Sequence, residues 1–585
     1  KLNAEWADWT NICLIPSQSS EREVRGYFGE EIALFFRWTG MYTRMLGSLS
    51  LVSLCALLRY LPDLGLTKQA RDFVKLGFGF MIVLWETYFQ KLNMASSARA
   101  VQFWGMDSWD TNEPALPSFE PKLEGTQALR LRKDFAAAAV IFYMIFVMFI
   151  IYKVNRFFYE AALDGQDQYA AFQSTVQSIL IKVLSFVWRK ISFYLVLMQN
   201  HRTQSRFNNA LITNIALVKL FVALYPFLYS SALRVVLEGT CEDSLSMAAH
   251  SVYGPTGGWP GHVQINVKPG SNEYIPMADL DFLKRYYYIN QRNKTCILGC
   301  YPVDCSIPPD IYGAEPQEMQ CITNCIVTLQ DSLRTLYVIQ LASSMIFVLI
   351  PIFLTRRAVQ REMRKAERIS GRAEAYSFIQ LQAKCYREAP YDFSSWGGSY
   401  VEDFLDLAVT YSLLACFGMC YPTMAIIGFV CMLVQYRLLA YRMAIVTCRP
   451  EPRGSSGLGL VATIFEVLSV FSVFFNAFVG VFVMLPMTTQ ELYFQIVVFI
   501  VVEKATVLLR GVISYLIPGI PTEVTLIQDF NDEFKKAFNK RKLAHSTEKR
   551  DLSGIDVGLR RPGDDGDVAG TDSDSADSAQ GAYST

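Results

Sequence analysis

The sequence is poor in charge. Asp, Glu, Lys and Arg make up 18% of its 585 residues, against about 25% in soluble domains. A chain that is also 52% hydrophobic therefore reads as a membrane protein. Net charge is absent as well: 54 basic residues balance 54 acidic ones, which argues against nucleic acid as a partner. The four histidines are scattered and read most simply as surface residues. No Walker loop, HExxH helix or GxSxG elbow is present, and Gly454-Ser-Ser-Gly-Leu-Gly459 has no preceding strand with which to cradle a nucleotide. The chain reads as non-enzymatic. It also lacks the paired repeats with broken helices that a secondary transporter should show. Lys1 to Arg25 is polar and has no apolar signal-peptide core. Residues 1–26 are expected to be the remnant of a larger cytosolic N-terminal region.

What is abundant is apolar sequence, in blocks near 20 residues long, each about one bilayer thick. The blocks predict ten membrane-spanning helices, at about 45–61, 73–92, 135–154, 172–193, 211–235, 329–354, 402–421, 423–442, 457–484 and 492–517. The expected fold class is therefore all-α and polytopic. Tyr27 to Trp38 is amphipathic and reads as an interfacial helix leading into the first span. The stretch from Ser399 to Pro450 organises the rest, as two spans folded back at Pro422. Asp403 and Asp406 lie three apart and share one helix face. At membrane depth such a pair is costly unless it faces protein, water or a cation. Alternatively, the two carboxylates cap the helix start at the water interface, where they suit its N-terminal dipole.

Two loops set the topology. Residues 236–325 form a long polar insertion that holds Cys241, Cys296, Cys300, Cys305, Cys321 and Cys325, six of the thirteen cysteines. Beside them is a glycosylation sequon at Asn293. Disulfides on the oxidising side of a membrane are expected, with the pairing open. Zinc is the weaker reading, since the spacing is irregular and only His250 and His262 lie nearby. The loop 356–400 carries Arg356, Arg357, Arg361, Arg364, Lys365, Arg368 and Arg372 against Glu362 and Glu367. The positive-inside rule makes it cytosolic. Ten spans then place the cysteine loop outside and both termini in the cytosol. Arg189, Lys190, Arg202, Arg206, Arg442, Arg449 and Arg453 also fall inside. After the membrane region, 27–521, residues 522–550 predict a cytosolic helix whose basic cluster at 535–542 can touch anionic lipid. The acidic tail 551–585 is Gly/Ser/Asp-rich and is expected to be disordered.

Charged residues within spans are pathway or pairing candidates. Lys182, Lys219 and Glu466 sit deeper, where a polar groove or an internal salt bridge is expected, and Arg437 joins them as a groove candidate. Asp331, Arg334 and Arg510 lie nearer span ends, where snorkelling is the simpler account.

Several of these strings resemble the anoctamins, a family of dimeric ten-span channels and lipid scramblases. Tyr27-Phe-Gly-Glu-Glu-Ile-Ala-Leu-Phe-Phe36 is similar to the family's YFGEKIGLYF opening. Trp85 with Trp104-Gly105, Asn200-His-Arg-Thr-Gln-Ser205, Gln435-Tyr-Arg-Leu-Leu-Ala440 with Arg449-Pro450, Asn476-Ala-Phe478 and Ile517-Pro-Gly-Ile-Pro521 resemble further family motifs in order. Cys321 and Cys325 sit like the cysteines leading into span six. The likeness covers about residues 20–525. It implies passive movement of anions or phospholipids through a groove formed by spans three to seven, and a homodimer; the cysteines and sequon require passage through the secretory pathway, to the plasma membrane or an endomembrane. It also implies a calcium site whose positions fall on Asp403, Asp406, Gln435, Leu439, Ser343 and Phe347. Three of the family's five carboxylates are missing there. Calcium wants six to eight oxygens, with affinity set by ligand charge, so Asp403, Asp406, Gln435 and Ser343 are expected to bind calcium weakly or not at all. The rival expectation is a non-conducting tether or scaffold of the same fold.

Overall fold

The computed structural model describes residues 6–7, 14–17, 21–57, 68–106, 114–163, 167–233, 301–306, 320–324, 326–371, 377–393, 398–484, 487 and 490–547. A helix stands in each of the ten apolar stretches. The first described helices are α1 (Glu21–Phe28), α2 (Glu30–Leu57), α3 (Lys68–Trp104), α4 (Gln127–Leu163), α5 (Asp167–Leu197) and α6 (Gln204–Leu228). They are followed by α7 (Ile326–Ser370), α8 (Phe378–Glu388), α9 (Tyr400–Phe417), α10 (Thr423–Tyr441), α11 (Leu460–Phe478) and α12 (Leu492–Leu516). Among the described residues, six helices are long and apolar enough to cross a membrane by length and composition, spanning Glu30–Leu57, Gln127–Phe158, Gln204–Ser231, Ser332–Ile369, Thr423–Val446 and Leu460–Val483. The protein is an integral, multi-pass membrane protein.

Local chemistry explains several boundaries. The expected interfacial helix and first span are one helix, α2, separated from α1 by Gly29. That residue has φ +91°, and a Cβ there would lie 2.7 Å from the backbone nitrogen of Arg453. Only glycine suits such a position. Glu30 and Glu31 open α2, where carboxylates complement the exposed backbone N–H groups. Thr203 caps α6, its hydroxyl accepting from Arg206 N at 3.3 Å. The basic stretch after residue 355 is not an irregular loop at first. Arg, Lys, Glu, Ala and Met favour helix, and α7 runs through them unbroken to Ser370. Lys384 on α8 then pairs with Glu362 on α7.

The core is built around α9, which is buried along nearly its whole length. It packs against α11 and α6. Although α9 and α10 follow each other through the turn at Pro422, α10 packs chiefly on α2 and then on α7. The deepest aromatic layer joins α2, α3, α9 and α11. Trp38 stacks on Tyr42 at 5.5 Å and meets Phe465 at 4.4 Å, and Tyr411 meets Phe465 edge-on at 5.1 Å. Such pairs add about 0.5–1.5 kcal/mol beyond area burial.

Among the described residues, a two-stranded antiparallel ribbon interrupts the helices. It pairs β1 (Tyr301–Ser306) with β2 (Gln320–Asn324), and its register sets Cys305 opposite Cys321. Cys241, Cys296, Cys300, Cys325, Asn293 and the tail 551–585 lie outside the described residues. Residues from Thr522 form a separate unit, whose described part is α13 (Thr522–Thr547). Leu526, Phe530, Phe534 and Phe538, spaced by four, give it one exposed apolar face.

Candidate functional site

A cavity of about 330 Å³ opens among α5, α6, α7, α9 and α10. Its floor is the first turns of α9, which present Glu402, Asp403 and Asp406. Each carboxylate meets a basic group from a different element. Arg189 on α5 reaches Glu402 at 2.8 Å. Lys219 on α6 pairs with Asp406. Arg442, at the head of the π-helical turn Arg442–Val446 that closes α10, grips Asp403 with both terminal nitrogens, at 2.6 and 3.4 Å. Neither aspartate therefore stands as a simple helix cap: both face protein, against fixed cations. Buried charges need such partners.

The remaining lining is arranged in helical stripes. On α5, Lys182, Ser185 and Arg189 lie on one face at spacings of three and four and line the cavity, with Lys190 beside them. Lys182 feels the charges of both Asp406 and Lys219. On α7 the contributors are Ser344, Phe347, Val348 and Pro351. Gln435 of α10 is buried and lines the cavity. Gly398 completes the wall. Its φ is +70°, and a Cβ there would sit 3.0 Å from an Arg442 terminal nitrogen, so the close approach of the guanidinium needs glycine. Arg442 Nε and Arg189 Nε are buried without hydrogen-bond partners among the described residues. Counted over the lining, five basic side chains face three carboxylates, leaving two positive charges in excess.

The cavity thus gathers Lys182, Lys219, Asp403, Asp406 and Gln435 from the residues singled out in the sequence. Ser343 is one position out of register: it is half-buried, donates to the Gln340 carbonyl at 2.9 Å, and leaves the lining to Ser344. Arg437 is elsewhere. It is 7% exposed and donates to the Trp6 carbonyl at 2.9 Å, holding the N-terminal segment against α10. Glu466 is exposed on α11 and lines no part of this cavity. The sequence reading missed Arg189, Glu402, Gly398 and Arg442 as site residues. One signal was available for Arg442, which lies seven residues after Gln435 and so on the same face of α10.

A second recess, of about 390 Å³ between α2, α3 and α12, is lined almost wholly by apolar side chains, Met45, Leu49, Trp85 and Leu516 among them. It offers nothing to an ion.

Comparison with known proteins follows the same outline. The family model described as "Anoctamin: Calcium-activated chloride channel" matches residues 24–529. Anoctamin-4 of Homo sapiens is 22% identical over 522 residues, covering 78% of this chain and 47% of its own length. Anoctamin-10 of Danio rerio is 21% identical over 227 residues, 38% of this chain and 34% of its own. Anoctamin-9 of Mus musculus is 27% identical over 148 residues, 19% of each. The chain spans about half the length of the longest-matching relatives.

Proposed function

The chain belongs to the anoctamin family, and from that premise we propose that it moves anions, phospholipids or both passively down their gradients through the cavity beside α9, without micromolar calcium activation. The observation that carries this reading is the excess of basic side chains over carboxylates in a cavity among apolar helices. A pathway with such a lining lowers the cost of bringing an anion, chloride or a phosphate headgroup, out of water. Calcium suits the same lining poorly. Both oxygens of Asp403 are held by Arg442, Asp406 is held by Lys219, and Gln435 adds only a neutral oxygen. Calcium needs six to eight oxygens and net negative charge, whereas each carboxylate here is already paired with a cation and the lining as a whole is positive. We further propose ten spans and a homodimer, as the family resemblance implies.

Reconstitution tests the reading. Vesicles containing the protein, with calcium chelated, are expected to show halide flux, fluorescent-lipid scrambling or both above protein-free vesicles. A steep micromolar calcium requirement would overturn the calcium part. Silence in both assays would favour the second reading, a non-conducting tether. That reading draws on α13, whose Leu526, Phe530, Phe534 and Phe538 are exposed next to Lys535 and Lys536, a pattern that suits a membrane surface.

A further inference from the structure

We infer that Lys219 and Arg442 are built-in counter-cations: they stand where a divalent ion would sit between α9 and its neighbours, and they exclude such an ion. The inference concerns the same cavity as the proposed pathway. It rests on geometry, and its test reads binding, so a chain that transported nothing would still answer it.

Three observations converge. First, each carboxylate on the acidic face of α9 is paired with a cation from within the chain. Arg442 takes both oxygens of Asp403, and its side chain is only 5% exposed. Lys219 takes Oδ1 of Asp406. A metal entering here would have to displace covalently tethered cations whose local concentration does not fall on dilution. Second, the surroundings are positive. Lys182, Arg189 and Lys190 line the same cavity, so an entering divalent ion would meet an excess of like charge at short range. Third, the neutral contacts do not compensate. Ser343 does not line the cavity, its hydroxyl donating to the Gln340 carbonyl, and among the described residues no group of three or more His, Cys, Asp or Glu is placed to hold a metal.

The cross-links also have the topology of a metal bridge. An ion shared between carboxylates ties several helices together, and its occupancy follows its concentration. Here Lys219 ties α9 to α6, Arg442 ties α9 to the end of α10, and Arg189 ties the adjacent Glu402 to α5. Those ties need no metal. They hold the start of α9 in one arrangement whether or not calcium is present.

Removing the two cations should uncover the site they occupy. The experiment measures heat unfolding of the purified, detergent-solubilised protein against calcium concentration, with terbium luminescence as an independent binding signal. Wild type is expected to show neither a shift nor a signal up to about 1 mM calcium, the weak end of natural calcium sites. The double variant Lys219→Gln/Arg442→Gln is expected to be less stable without calcium and to recover stability as calcium rises, with at least tenfold tighter binding than wild type. That rescue separates a vacated ion site from simple loss of two ion pairs. A saturable micromolar shift in wild type, abolished by Asp403→Asn/Asp406→Asn, would overturn the inference. So would a folded double variant indifferent to calcium. If the double variant does not fold, Lys219→Gln alone replaces it: weaker calcium rescue supports the inference, and no rescue rejects it.

Discussion

Arg442 and Asp403 meet through two nitrogens and two oxygens, at 2.6 and 3.4 Å, across the gap between the end of α10 and the first turn of α9. The guanidinium's planar fork makes this geometry, and lysine cannot reproduce it. Replacing Arg442 with Gln leaves Asp403 buried without its cation, a change that costs about 3 kcal/mol in comparable pairs. Arg442→Lys is expected to recover less than half of that. Heat unfolding in detergent reads both, and a double-mutant cycle with Asp403→Asn should show strong non-additivity. Additive losses would mean the pair is not coupled.

Lys182 carries a different expectation. Among the described residues it lines the cavity without a hydrogen-bond or ion-pair partner, while Lys219 on the facing helix is committed to Asp406. Lys182→Gln should therefore reduce halide flux in vesicles by up to about tenfold, the scale on which lining charge alters local anion concentration. Lys182→Arg should retain it. Equal flux in both variants would remove Lys182 from the pathway.

On the face of α10 turned away from Gln435, Arg437 serves the fold rather than the cavity. Its bond to the Trp6 carbonyl and the contact of Trp6 with Phe36, ring centroids 4.6 Å apart, fix the N-terminal segment. Arg437→Ala is expected to speed limited proteolysis next to Trp6 several-fold and to leave calcium-free transport unchanged. Unaltered cleavage would show that the latch is not what protects the segment.

Gly29 tests the junction of α1 and α2. With φ +91° and the Arg453 backbone 2.7 Å from any added Cβ, Gly29→Ala combines left-handed strain with a steric clash. A loss of about 1–3 kcal/mol follows, read by heat unfolding. A neutral result would mean that the Arg453 backbone moves aside.

His201 gives the pH dependence. It lies between α5 and α6, half-buried, its Nε2 3.1 Å from Gln199 Oε1. Burial first, then Lys133 and Arg206, hold its pKa below the ordinary 6.5. The unfolded chain thus takes up a proton before the folded one does. The stability linked to this group is full above pH 6.5 and is lost as pH falls through 6.5 toward the lowered folded value. His201→Gln should flatten the fall in unfolding temperature between neutral and mildly acid pH. An identical slope in both proteins would assign the acid sensitivity elsewhere.

The positions of the helices were legible because each apolar block announces its own length. The facing of Asp403 and Asp406 was legible too, since three residues apart means one side of a helix. Their partners were not. Lys219 and Asp406 are 187 residues apart, and no local pattern links residues that far separated. Arg189 and Arg442 were read only as markers of a cytosolic side, although their spacing from Lys182 and Gln435 put them on the cavity faces. Arg437 misled for the converse reason: it is two residues from Gln435, and two residues turn a helix by more than half a circle. The family's acidic positions could be carried over by motif, but not the tethered cations that now oppose them.

The single helix α7, 45 residues from Ile326 to Ser370, works as a long rod. At 1.5 Å per residue it extends about 68 Å, more than twice the hydrocarbon thickness of a bilayer. Its inner portion forms the cavity wall at Ser344 and Phe347, while its outer end carries Arg364, Lys365 and Arg368 and is strapped to α8 through Glu362. Pro351 lies one turn beyond Phe347 and lacks the N–H that would stiffen that point. Because the helix continues unbroken through Pro351, the cavity wall at Ser344 and Phe347 and the arginine-bearing end belong to one continuous rod.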